Sequence, residues 1–80
     1  MSRVVEKKLG REGALGQVNR ANPNSKIEID PRQTPRSYLS TLLHEKLHLL
    51  HPDWSEAKVL REERALTKFL WDNNYRKVNQ

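Results

Sequence analysis

His44-Glu45-Lys46-Leu47-His48 places two imidazoles four residues apart, with a carboxylate directly after the first. On an α-helix that spacing puts both rings on one face, a turn apart, where they can share a divalent metal ion. Glu45 then stands beside the ion, where it could take a proton from a metal-bound water. The chemistry indicated is hydrolysis at a zinc centre. A catalytic zinc ordinarily takes three protein ligands and keeps a fourth position open, so one more ligand must come from elsewhere.

The chain has no cysteine, which excludes a thiolate ligand and leaves His, Asp or Glu. His51 lies one turn beyond His48 on the same side. Three ligands from successive turns of one straight helix, however, surround a tetrahedral ion poorly. Glu56, Glu62 and Glu63 are better placed, because each falls within the apolar arc of a following helix, where a carboxylate is costly unless it is paired or bound to a metal. Glu56 could alternatively close a capping box with Asp53. Glu63 lies nearest the centre of the arc and, in an antiparallel helix pair, would point back toward the level of His44 and His48. Spacing alone leaves Glu56 and Glu63 level as third ligand.

These residues need two helices to hold them. Thr34-Pro35 is a good helix start, with threonine as N-cap and proline at the first helical position, and the pattern runs to about His51. Tyr38, Leu39, Leu42, Leu43, Leu47, Leu49 and Leu50 cover one half of its circumference. Ser40, Thr41, His44, Glu45, His48 and His51 cover the other, so the histidines look away from the leucine face. Pro52 interrupts the pattern, and Asp53-Trp54-Ser55-Glu56 restarts it with Asp53 as N-cap. The second helix is expected from Trp54 to about Asn73, its apolar stripe formed by Val59, Leu60, Leu66, Phe69 and Leu70. Residues 74–80 are turn-rich and polar and read as a loosely held tail.

The front of the chain, 1–33, is polar and punctuated by glycine. Val4-Val5-Glu6-Lys7-Lys8-Leu9 reads as a strand, and Leu15-Gly16-Gln17-Val18 and Lys26-Ile27-Glu28-Ile29-Asp30 alternate apolar with polar around an Asn22-Pro23-Asn24-Ser25 turn. Gly10, Gly13 and Gly16 read as turn or bulge positions, since no strand-to-helix transition follows them to make a phosphate loop. The expectation is a single α+β domain over 1–80: a small antiparallel sheet of two or three strands followed by two packed helices.

Eighty residues form one core of marginal size, to which a bound metal would add stability. The start of the chain has no apolar leader-like run and no stretch approaches membrane-spanning length, so a soluble, cytoplasmic protein is expected. The formal charge of +5 and pI near 9.9 favour acidic partners, nucleic acid included. The cations are nonetheless scattered: Arg3, Lys7, Lys8, Arg11 and Arg20 early, Arg32 and Arg36 in the middle, and Lys58, Arg61, Arg64, Lys68, Arg76 and Lys77 late. Most read as solvated faces.

The segments Lys26-Ile27-Glu28-Ile29-Asp30-Pro31, Tyr38-Leu39-Ser40-Thr41-Leu42-Leu43-His44-Glu45-x-x-His48, Pro52-Asp53-x-Ser55-Glu56-x-x-Val59 and Phe69-Leu70-Trp71 together resemble a known family. It is that of the minimal zincin-type metallopeptidases common in bacteriophages and prophages, fold-level relatives of the SprT-like and ImmA-type gluzincins. The resemblance spans about residues 14–77 and departs from the pattern at Lys46, where a small or apolar residue is usual. It implies that the Ile27–Asp30 strand precedes the active-site helix, and that Glu56 joins His44 and His48 as zinc ligand, with no fixed acidic counterpart at Glu62 or Glu63. It further implies a zinc-dependent peptidase with Glu45 as general base and a protein or peptide substrate, in the host cytoplasm if phage-encoded. Tyr38, Tyr75 and the arginines are candidates to stabilise the oxyanion, and the Ile27–Asp30 strand, if at a sheet edge, could bind an extended peptide by strand addition. The alternative is a non-catalytic, basic zinc-binding module acting in assembly or nucleic-acid binding.

Overall fold

The computed structural model describes residues 3–9, 14–22 and 24–76. In chain order the elements are β1 (Val4–Glu6), β2 (Gly16–Gln17), β3 (Ile27–Ile29), α1 (Pro35–Leu50) and α2 (Glu56–Asp72). This is the expected α+β arrangement of a small sheet followed by two packed helices. The expected strands are all present but shorter. Gly10 and Gly13, Pro23 of the predicted turn, and 77–80 of the predicted tail lie outside the described residues.

The sheet has the order β1-β3-β2. β3 pairs antiparallel with β2, with Gly16 opposite Ile29, and parallel with β1, with Val4 opposite Ile27. The sheet is therefore mixed rather than wholly antiparallel. Strands β1 and β3 are separated by β2 and its flanking loops, a connection long enough for the crossover that a parallel pair requires. β3 consequently occupies the centre of the sheet, not the edge at which peptide binding by Ile27–Asp30 would have been possible.

Alternation along β3 divides its side chains between two faces. Ile27 and Ile29 are buried under α1 with Tyr38 and Leu49, and Val18 and Leu42 pack against this cluster. Burying each isoleucine stabilises the fold by roughly 1.5–3 kcal/mol. Glu28 turns to the other face, where it accepts a 3.0 Å hydrogen bond from Gln17 and lies 3.5 Å from Lys7 Nζ. Directly after β3, the carboxylate of buried Asp30 accepts hydrogen bonds from the backbone N–H of Leu9 and Arg32, both at 2.9 Å, and from the Arg32 guanidinium at 2.8 and 3.0 Å. One side chain thus ties the segment after β1 to the loop that leads into α1.

Helix α1 begins as its sequence indicates, with Thr34 Oγ1 accepting from Ser37 N at 3.2 Å and Pro35 in the first turn. Leu47 and Leu49 are buried, whereas Leu50, expected in the core, is largely exposed at the helix end. Lys46 is half-buried. Helix α2 starts later than Asp53 would cap it: the N-cap is Ser55, whose Oγ accepts from Lys58 N at 3.2 Å. The Asp53–Glu56 capping box does not form, because Glu56 is itself the first helical residue.

The residues of α2 that are buried are Val59, Glu63 and Thr67, one row at successive i, i+4 steps. Leu66 and Phe69, expected in the apolar stripe, lie on its flank and are exposed. The chain does not fray at the end of α2. Asn74 adopts φ 66°, and the N–H groups of Asn74 and Tyr75 bond to the carbonyls of Trp71 and Leu70 at 3.0 and 2.9 Å, forming a Schellman closure. Arg76 then stacks over the Trp71 ring at 3.8 Å. The segment expected as a loose tail is therefore fastened as far as Arg76. Among the described residues no helix is long and apolar enough to cross a membrane.

Candidate metal centre

One turn of α1 brings the Nε2 atoms of His44 and His48 to 3.2 Å from each other. Capping by Ser55 puts Glu56 in the first turn of α2, facing these rings across the helix–helix corner. Its Oε1 lies 2.6 Å from His44 Nε2 and its Oε2 3.0 Å from His48 Nε2. Ligands placed tetrahedrally at about 2.0–2.1 Å from zinc are roughly 3.3 Å apart. The observed separations need to open by between about 0.1 and 0.7 Å to meet that value, and His44, His48 and Glu56 thus form a group that can hold a metal ion. Two imidazole nitrogens and a carboxylate oxygen suit zinc and similar divalent ions. His48 is buried and His44 nearly so, while Glu56 is more than half exposed, so the approach to the group is from the Glu56 side.

The other third-ligand candidates have different partners. Glu63 is buried behind His44: its Oε1 accepts from Ser40 Oγ at 2.7 Å, its Oε2 from Thr67 Oγ1 at 3.1 Å, and Oε1 lies 3.9 Å from His44 Nδ1. That is the side of the ring turned away from Glu56. At 3.9 Å the carboxylate is not hydrogen-bonded to the ring, but a shift of about 1 Å would let Nδ1–H donate to it, leaving the Nε2 lone pair for a metal. Glu62 is on the outer face, 3.7 Å from Arg61 Nε. His51 caps α1 and stacks on Trp54, with ring centroids 3.8 Å apart and planes within 5°.

Glu45 lies on the β2 side of the centre, half-buried in a cleft with Gly16, Thr41 and His44. Burial raises its carboxyl above the ordinary glutamate value; Glu56 adds to the rise, while His44 and Arg20 act against it. Gly16 makes this cleft possible. A Cβ at that position would come within 2.6 Å of Thr41 Cγ2 and 3.1 Å of Glu45 Cγ, so the strand crosses the helix at a distance that only glycine permits. It is a close-approach position within β2, not a turn or bulge.

Arg20 was not singled out by sequence reasoning. Asn19-Arg20-Ala21-Asn22 forms a turn closed by a 3.1 Å bond from Asn22 N to Asn19 O, and Asn19 Oδ1 accepts from Ala21 N. The turn directs the Arg20 guanidinium onto His48. Its Nη2 contacts Nδ1 of the ring, lies 3.0 Å from Nε2, and donates to Glu56 Oε2 at 3.3 Å. His48 is held below the ordinary histidine value, first by burial and then by the Arg20 charge, which keeps its ring neutral and able to ligate. Of the oxyanion-stabilising candidates, Arg20 is at the centre. Tyr38 is in the core cluster and Tyr75 lines an apolar pocket with Val4, Leu39 and Leu42.

No protein-family model, curated protein or solved structure matches this chain.

Proposed function

We propose that the chain is a zinc-dependent metallopeptidase. The observation that carries this reading is the convergence of His44, His48 and Glu56 from two helices with Glu45 in the adjoining cleft, beneath an edge strand. A carboxylate beside the open side of the group, in addition to the one behind His44, supplies the general base that peptide hydrolysis uses.

Bound to this group, zinc would acidify a water molecule and polarise a peptide carbonyl. Glu45 accepts the proton of the attacking water and passes it to the departing amine, a role to which its raised proton affinity is suited. Arg20, freed from Glu56, donates to the carbonyl oxygen as that oxygen gains charge. Ser40 and Thr67 hold the Glu63 carboxylate in place beside His44. An extended peptide adds to the outer edge of β2, which among the described residues pairs only with β3. Because Gly16 lets β2 pack directly on Thr41 and Glu45, the strand that receives the peptide lies beside Glu45.

The test is a Glu45→Gln variant assayed beside the wild type on a broad peptide library. The variant is expected to bind zinc with unchanged stoichiometry and to lose hydrolysis. If the zinc-loaded wild type cleaves no member of the library, the peptidase reading fails in favour of a basic zinc-binding module, for which salt-sensitive retention of DNA would be the corresponding positive result.

A further inference from the structure

Two clefts lie end to end along the seam between α1 and α2. The first, about 330 Å³, contains His44 and Glu45. The second, about 360 Å³, is lined by Arg36, Ser37, Ser40, Glu63, Arg64 and Thr67. They share Ser40 and Glu63, whose 2.7 Å hydrogen bond forms a common wall, so the cleft beside the metal ligands adjoins one flanked by a pair of arginines, one from each helix.

The charges around the second cleft favour an anionic visitor. Arg36 and Arg64 are exposed and make no hydrogen bond or ion pair with any described residue. The acid in the cleft wall, Glu63, is buried and accepts from both Ser40 and Thr67, and is thereby unavailable to the arginines. Asp72, which feels the charge of Arg36, is itself paired with Lys68 at 2.7 Å. Two guanidinium groups flanking one polar cleft, whose own carboxylate is already engaged by two hydroxyls, form a site suited to a carboxylate from outside.

The position of this site sets a distance. Arg36 and Arg64 stand roughly two helical turns from His44 and Glu56, about 12 Å along the axes. An extended peptide rises about 3.3 Å per residue, so this corresponds to three or four residues.

We infer that the Arg36–Arg64 cleft is a specificity subsite that receives an aspartate or glutamate side chain of an extended peptide, three or four residues from the bond held at the metal centre. The inference rests on the peptidase reading for its substrate, but its test separates the two. Two fluorescein-labelled peptides, identical except for a Glu-Asp or a Lys-Lys pair, are titrated against the zinc-loaded full chain with the Glu45→Gln change. The same titration is made with Arg36→Gln and Arg64→Gln added. The acidic peptide is expected to bind roughly five- to tenfold more tightly than the basic one, with the advantage shrinking at high salt and disappearing in the arginine variant. The arginine variant is expected to keep its zinc stoichiometry and helical circular dichroism.

Equal binding of the two peptides, or discrimination that survives loss of both arginines, overturns the subsite. So does retention of a DNA oligonucleotide that depends on the same two arginines, since the cleft would then read phosphate rather than a peptide side chain. Discrimination without any cleavage by the wild type supports the subsite while refuting peptidase activity. Cleavage with no preference at this distance does the reverse.

Discussion

Glu63 and His44 meet with Oε1 3.9 Å from Nδ1, on the side of the imidazole opposite the nitrogen that faces Glu56. Two carboxylates from one helix thus flank the same ring on opposite sides, Glu56 where it could share a metal ion with the ring and Glu63 where it could support it. Glu63→Gln is expected to weaken zinc affinity roughly ten- to a hundredfold without changing the stoichiometry at saturation. Glu56→Ala should cost more, by removing a donor altogether. Competition against a chromogenic chelator ranks the two variants, and a larger loss in Glu63→Gln than in Glu56→Ala would reverse their assigned roles.

Arg20 carries two predictions of opposite sign. Its guanidinium contacts the ligand atoms of both His48 and Glu56, so it must move aside for a metal and its charge opposes one. Arg20→Gln is therefore expected to tighten zinc binding severalfold. The same change should lower kcat about tenfold or more, by removing a donor to the developing oxyanion. Tighter zinc binding with undiminished kcat would assign Arg20 to the metal equilibrium alone.

Gly16→Ala forces a methyl group to within 2.6 Å of Thr41 Cγ2. Strand β2 must lift from α1, at an expected cost of about 1–3 kcal/mol measured by urea unfolding. Zinc affinity should be little changed, because none of the three ligands is on β2. Hydrolysis should fall, because the strand that would carry the peptide has moved from Glu45. A variant as stable as the wild type would show that the helix and strand are not in contact at this point.

Asp30 is held well below the usual aspartate range, chiefly by the Arg32 guanidinium and then by the backbone N–H groups of Arg32 and Leu9. A carboxyl with a depressed folded value stabilises the native state above its unfolded value, near pH 4, and that contribution disappears as pH falls through the folded value. Stability is expected to decline from about pH 4 downward. Asp30→Asn should be less stable than the wild type at pH 7 and less sensitive to acid over this window. Parallel acid sensitivity in the two chains would assign the decline to other carboxylates.

Metal loading should stabilise the whole molecule. At free zinc about a hundredfold above Kd, mass action adds about 2.7 kcal/mol, which for a domain of this size raises Tm by roughly 10–20 °C. Differential scanning calorimetry with and without chelator measures the shift. His48→Ala should abolish it.

Periodicity and capping made much of this legible in the sequence. His44, Glu45 and His48 depend only on the local helical repeat, and Thr34-Pro35 announced the start of their helix. Spacing left Glu56 and Glu63 level, because both lie on the same side of α2 and only the approach of the two helices decides which reaches the rings. Ser55, one residue before Glu56, proved to be the cap, and this removed the competing use of Glu56. Arg20 and Gly16 were not legible as parts of the site. Their roles depend on where the 14–22 segment crosses α1, which is a tertiary relationship with no local repeat to reveal it. The parallel pairing of β1 was hidden for the same reason, since alternation shows that a strand exists without showing its direction or neighbour.

The corner between α1 and α2 has a consequence for the order of folding. His44, His48 and Glu56 lie on either side of one short connection, whereas β1 must cross the whole 7–26 segment to pair with β3. Closing a short loop costs less chain entropy than closing a long one. An ion captured at the corner would therefore clamp the helical hairpin before the sheet has assembled, so that the three side chains able to hold it would also act as a nucleus for folding.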